Sequence, residues 1–131
     1  MTQRQHLISG WGRQSVVGRQ IVADDLLQAT RGAVLSRGLG RSYGDSALPP
    51  ASVAEVVATP AADRMLSFDP DTGVLRAEAG LSLYRINRLL LERGWFVPVT
   101  PGTQFVTLGG MVAADVHGKG HHRVGCFGEH V

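Results

Sequence analysis

The stretch Arg37-Gly38-Leu39-Gly40-Arg41-Ser42-Tyr43-Gly44-Asp45-Ser46-Ala47 decides what kind of fold this chain can have. Two common glycine turns hold nucleotide phosphates, and this stretch is neither. A dinucleotide fingerprint needs G-x-G-x-x-G between a strand and a helix. Here Tyr43 stands at the third glycine position, and Pro49-Pro50 follow too soon for a helix to open. A Walker loop needs Gly-Lys-Ser/Thr, which is missing. What remains is a run of backbone N–H groups able to form an anion nest, with Arg37 and Arg41 adding charge. That shape suits a pyrophosphate. An ordinary turn-rich loop has the same composition.

The elements on either side set the class. Ile21 to Thr30 reads as a short helix with Asp24 or Asp25 at its start and Gly32 past its end. Ala33 to Ser36 is a β-prone run leading into the loop, and Val53 to Ala58 reads as a further strand. Met65–Phe68 and Val74–Ala79 flank Asp69-Pro70-Asp71-Thr72-Gly73, which is hairpin chemistry. Ser82 to Arg93 is the best helix: Leu83, Ile86, Leu89 and Leu90 make one apolar face, Ser82 caps the start and Gly94 the end. Trp95 to Val99 reads as a short strand. Within the one domain of residues 1–131, residues 1–19 are set apart as a leader segment, with 20–131 as the motif-bearing part. The order helix, strand, hairpin, helix, strand makes an α+β domain.

A second glycine region follows, beginning at Thr100-Pro101-Gly102-Thr103 and running from Val106 to His122. Gly109-Gly110 before Met111-Val112-Ala113-Ala114 opens a short helix whose free N–H groups are expected to face a ligand. Small residues at 109, 110, 113 and 114 would let a flat ring lie against backbone. A tightly packed small-residue helix fits the same letters. His117, His121 and His122 invite a metal reading, but glycines at 118 and 120 leave their geometry unset and H-E-x-x-H is missing, so no metal is expected.

The 131 residues suit one core, and eight of the 17 glycines fall in these two regions. Thirteen Lys+Arg against eleven Asp+Glu give a net charge of +2, which argues against nucleic acid as partner. A hydrophobic share of 44% with 18% charged residues excludes disorder. The single cysteine, Cys126, excludes an internal disulfide and packs as a small hydrophobe. Arg4, Arg13 and Arg19 interrupt the first twenty positions, so a secretory signal is not expected, and no apolar run is long enough to span a bilayer. A cytoplasmic protein is the expectation.

The two glycine regions in this order resemble the FAD-binding domain of the vanillyl-alcohol-oxidase (PCMH-type) flavoproteins. The residues that carry the likeness are RGLGRSYGDSA at 37–47, PGT at 101–103, VTLGGMVAADVHGKGHH at 106–122 and GCFGEHV at 125–131. The resemblance implies the N-terminal part of such a domain, since the family's FAD and substrate domains together exceed this length. It implies that residues 37–47 cradle the FAD pyrophosphate. It also implies that Gly102, Thr107, Leu108, Gly109, Gly110, Ala114, Asp115, Val116 and His117 line the flavin and its ribityl chain. Covalently flavinylated relatives often carry His where this chain has Arg41, so FAD is expected to be held non-covalently. Gly120 stands where the motif usually has Asn.

The implied chemistry is oxidation of a sugar alcohol by hydride transfer to the flavin, with a polyprenyl-phosphate-linked pentose, a cell-wall arabinan precursor, as one substrate class. His117 is the candidate for the reacting side, ahead of Tyr43 and Lys119. A partner reductase completing an epimerisation, and membrane association through a lipid substrate, belong to the same implication. Two other readings stay open: a non-catalytic nucleotide-binding module, and a metal-dependent hydrolase built on His117, His121 and His122.

Overall fold

A computed structural model describes residues 5–131. The chain forms two units, the first ending at Ala62 and the second running from Asp63 to Val131.

The first unit is built on a four-stranded sheet. Its strands are β1 (His6–Ser9), β2 (Ser15–Val22), β3 (Ser36–Arg37) and β4 (Glu55–Ala58), in the order β1-β2-β4-β3. β1 and β2 form an antiparallel hairpin, whereas β4 pairs in parallel with both β2 and β3. β4 is therefore central, and Val56, Val57 and Ala58 are all buried, as expected of a strand covered on both faces. Ile8, Leu48 and Val56 form the core, with Val16 and Leu35 against it. The leader segment supplies β1 from His6 onward and the first half of β2, with Gly18 inside that strand. A Cβ there would lie 2.9 Å from the Ala54 carbonyl, so glycine lets β2 approach the segment entering β4.

The helix expected over Ile21–Thr30 shrinks to α1 (Leu26–Ala29), because Ile21 and Val22 pair with Val57 and Ala58 in the sheet. Asp25 caps α1, its carboxylate accepting from the Gln28 N–H at 3.1 Å. The strand expected over Ala33–Ser36 starts three residues later and is only Ser36–Arg37, so the glycine loop springs directly from the end of β3.

The second unit opens with the antiparallel pair β5 (Met65–Phe68) and β6 (Leu75–Ala77). Its turn forms as the sequence indicates: the Asp69 carboxylate accepts from Asp71 N–H at 2.9 Å, and Gly73 adopts φ +77. α2 (Leu83–Leu90) follows, tightening into a 3-10 turn over Leu91–Arg93. Ser82 accepts from Arg85 N–H, and Gly94 ends the helix in the left-handed region. Leu83, Ile86 and Leu90 are buried, but Leu89 is exposed, so the apolar face is narrower than expected.

Trp95–Val99 forms no strand. Its backbone finds no strand partner among the described residues; its side chains do the holding, with Trp95 edge-on to Phe68 at 5.6 Å and Val99 buried. Then come α3 (Leu108–Ala113), α4 (His121–Val124) and a 3-10 turn at Phe127–His130. Two clusters fill this unit: Leu81, Ile86 and Leu90 under the hairpin, and Leu83, Val99, Met111 and Phe127 around α3. Each such buried side chain contributes about 1.5–3 kcal/mol. No helix among the described residues is long and apolar enough to cross a membrane.

Two predictions follow from this packing. Ile8→Ala should cost the first unit about 2–5 kcal/mol, read as faster hydrogen exchange of the β4 amides. Unchanged exchange there would show that β1 does not carry the sheet. The second concerns acid. Hydrogen bonding to Arg64 holds the Glu78 carboxyl below its usual value, and N–H donation from Asp71 does the same for Asp69. The unfolded chain therefore takes up these protons first. The stability they contribute is present above the ordinary carboxyl range, near pH 4, and is lost as pH falls through the lowered values. Glu78→Gln should flatten the acid limb of a thermal melt followed by circular dichroism.

Candidate cofactor site

The loop after β3 is organised around Arg37. Its Nη1 donates to the Ala47 carbonyl at 3.0 Å and its Nη2 to the Ser9 carbonyl at 2.6 Å. The far end of the loop and the end of β1 are thus held in one guanidinium fork. Gly40, buried and at φ +69, sits over that fork: a Cβ would lie 2.3 Å from Nη2. Burial, and then the charge of Arg41, pull Arg37 below the ordinary guanidinium value, though an arginine stays cationic at neutral pH. Arg41 is exposed and, among the described residues, donates only to the nearby Leu39 carbonyl at 3.0 Å.

Between Gly38 and Ala47, no backbone N–H finds an acceptor among the described residues. The loop's hydrogen bonds run the other way, with Ser46 Oγ donating to the Tyr43 carbonyl and Leu48 N–H to the Asp45 carbonyl. Gly44 adopts φ +62, and Tyr43 is 83% exposed. Unpaired donors on a loop carrying two arginines are what an anion nest requires.

The second region behaves oppositely. The expected free N–H groups at the start of α3 are engaged within the unit: Leu108 N–H donates to the Leu81 carbonyl at 2.9 Å and Gly109 N–H to the Ala79 carbonyl at 2.8 Å. Gly110 N–H meets Thr107 Oγ1 at 3.2 Å. The helix start is docked against the segment before α2, and Gly109 permits it, since a Cβ would sit 3.1 Å from that of Ala79. Thr107, only 2% exposed, is the cap of α3 and faces inward. What this region does expose is a small-residue surface: Gly110, Ala113, Ala114 and Asp115, with Val116 half-buried and His117 exposed beyond them.

Asp115 takes the left-handed conformation at φ 42, and its carboxylate accepts from Gly128 N–H at 2.8 Å, tying the end of α3 to the last turn. Gly118 brings two segments into backbone contact: a Cβ there would lie 2.5 Å from the Thr100 carbonyl. Thr100 to Phe105, with Leu83, Asn87 and Phe96, lines an open groove of about 430 Å³ that includes Gly102. Gly102 has nothing within 4 Å of where a Cβ would stand, so its backbone is open to approach.

The imidazoles of His117 and His121 stand edge to face at 5.8 Å, and those of His121 and His122 at 5.9 Å. His121 Nδ1 is engaged with the Gly118 carbonyl at 3.1 Å, and as the partner is an acceptor, that nitrogen carries the proton. Among the described residues no three metal-ligating side chains converge. Desolvation, then Asp115 and Glu129, push the Cys126 thiol up, away from the thiolate form that makes a cysteine reactive.

Sequence reasoning missed Ser9, the brace of the first loop, and Thr100, the seat of the second. Both act through backbone carbonyls, which every residue has. The β-branched residues Val16, Val17, Ile21 and Val22 are the signal for β2, and nothing in the letters marks Ser9 or Thr100.

Comparison with known proteins defines the class. The family described as FAD binding domain matches residues 23–131, and the chain belongs to that family. A curated relative, decaprenylphosphoryl-beta-D-ribose oxidase of Mycolicibacterium smegmatis, is 38% identical over 95% of this chain and 29% of its own length. A second, from Streptomyces coelicolor and described as an uncharacterized protein in the mprA 5' region, is 53% identical over 39% of this chain and 14% of its own. The chain thus spans under a third of the length of these relatives. Two structures of alkyldihydroxyacetonephosphate synthase, 15% and 17% identical, superpose with TM-scores of 0.71 and 0.68 over 90% and 86% of this chain and 24% of theirs. They share the fold. The α+β, PCMH-type architecture and FAD as cofactor follow from these matches together.

Gly118→Ala should cost the second unit about 1–3 kcal/mol, because a backbone carbonyl cannot rotate away as a side chain can. Urea denaturation checks this, and a neutral result would show that the Thr100 segment shifts freely.

Proposed function

We propose that this chain supplies the pyrophosphate cradle and part of the flavin surface of an FAD-dependent oxidoreductase that oxidises an alcohol on a sugar. The observation that carries the proposal is the run of unpaired backbone N–H groups from Gly38 to Ala47, beside Arg41. Diphosphate oxygens need donors that are already in place and not already engaged. On this reading Gly38 through Ala47 hold the pyrophosphate. Gly102, Gly110, Ala114 and Asp115 give the flavin its backbone surface, and Thr107, Leu108 and Gly109 act as the framework beneath.

FAD supplies the two-electron chemistry when bound. The chain's own residues bind and orient it non-covalently, Arg41 standing free for its charge. His117, exposed after Val116, is assigned to take the hydroxyl proton while the C–H hydrogen leaves as hydride. The name of the Mycolicibacterium relative favours a polyprenyl-phosphate-linked pentose as substrate. A ketone product would suit a reductase completing an epimerisation, and a lipid-linked substrate would bring the protein to the membrane surface.

Titration with FAD, riboflavin and ADP, followed by flavin fluorescence and calorimetry, tests the reading. FAD should bind more tightly than either half-molecule. ADP binding as tightly as FAD would favour a nucleotide module, and binding of none of the three would overturn the cradle.

A further inference from the structure

The geometry of the first loop points to a division of labour between its two arginines. We propose that Arg37 is a positioning residue: its guanidinium holds the loop from Gly38 to Ala47 against the end of β1. The anion's charge is met by Arg41 and the loop's N–H groups. The proposal deepens the cradle reading and rests on it for the ligand, though not for the loop.

Both terminal nitrogens of Arg37 donate within the unit. Nη1 closes a chord across the loop to Ala47, and Nη2 reaches back to Ser9 at the end of β1. Gly40 supplies the third point. Its missing Cβ leaves the space through which the guanidinium passes, with Nη2 2.3 Å and Cζ 2.8 Å from the position a Cβ would take. The loop's start, middle and end are therefore all referred to one planar group. A guanidinium offers its donors in a rigid fork, which two divergent carbonyls match and a single ammonium does not.

Arg41 is built differently. It is exposed, reaches only the Leu39 carbonyl, and enters no ion pair among the described residues. Its guanidinium has donors to spare. A loop ordered during folding binds its ligand without a further ordering cost at that moment, so removing the brace should weaken binding even where charge is kept.

The experiment compares Arg37→Lys, Arg37→Gln and Arg41→Gln in the full chain. Without ligand, amide order parameters over 38–47 should be about 0.85 in the parent and Arg41→Gln and fall below about 0.6 in both Arg37 variants, with α2 unchanged. FAD affinity, measured against sodium chloride concentration, should drop about tenfold in Arg37→Lys with its salt dependence intact. In Arg41→Gln the salt dependence should flatten instead.

Restored order and affinity in Arg37→Lys would show that charge alone matters and overturn the proposal. So would a flattened salt dependence in Arg37→Gln matching that of Arg41→Gln. Should Arg37→Gln lose the sheet, Gly40→Ala carries the test, since it displaces the guanidinium without removing it; an ordered loop there would also overturn the proposal. Failure of the parent chain to bind FAD would sink the cofactor reading while the order parameters still decide the role of Arg37.

Discussion

A single guanidinium, with the Ser9 carbonyl on one nitrogen and the Ala47 carbonyl on the other, is the contact around which the first unit is arranged. Closing a loop of this kind costs conformational entropy. Here the closure is made by one side chain at the end of an edge strand. It requires β1 to be present, because Ser9 is where β1 ends, and it requires glycine at position 40, because any side chain would occupy the fork's space. The hydrophobic contacts of Ile8 and Leu48 with Val56 lie beneath this arrangement and give it a fixed floor.

The two glycine regions look alike as letters and use their backbone in opposite ways. In the first, the donors from Gly38 to Ala47 are left unpaired. In the second, the donors at the start of α3 are engaged with the carbonyls of Ala79 and Leu81 and with Thr107. Glycine serves different ends accordingly. At 40 it makes room for a charged side chain, whereas at 109 and 118 it lets backbone meet backbone.

Much of this was legible beforehand. The hairpin over 65–77 was written in Asp69 and Gly73, and α2 in Ser82, Gly94 and the spacing of Leu83, Ile86 and Leu90, because caps and turns are local chemistry. Sheet membership was less legible. Ile21 and Val22 suit a helix as readily as a strand, and only pairing with β4 settles them. Trp95 to Val99 has strand composition but no strand partner among the described residues, so its course is set by the Trp95 N–H on the Leu90 carbonyl and by its buried side chains. The letters allow both a free and a packed start for α3 for a related reason: whether a helix start is free depends on what docks against it, and Ala79 is thirty positions upstream of Gly109.

The contact between Gly118 and the Thr100 carbonyl has a further consequence, for how such a site can diversify. Two strips of chain that meet through backbone alone keep their spacing whatever side chains they carry. Thr103 and Lys119 can therefore be exchanged for other residues without altering the distance between the strips. The surface presented to a ligand is open to change at those positions, while the frame behind it is held at one glycine.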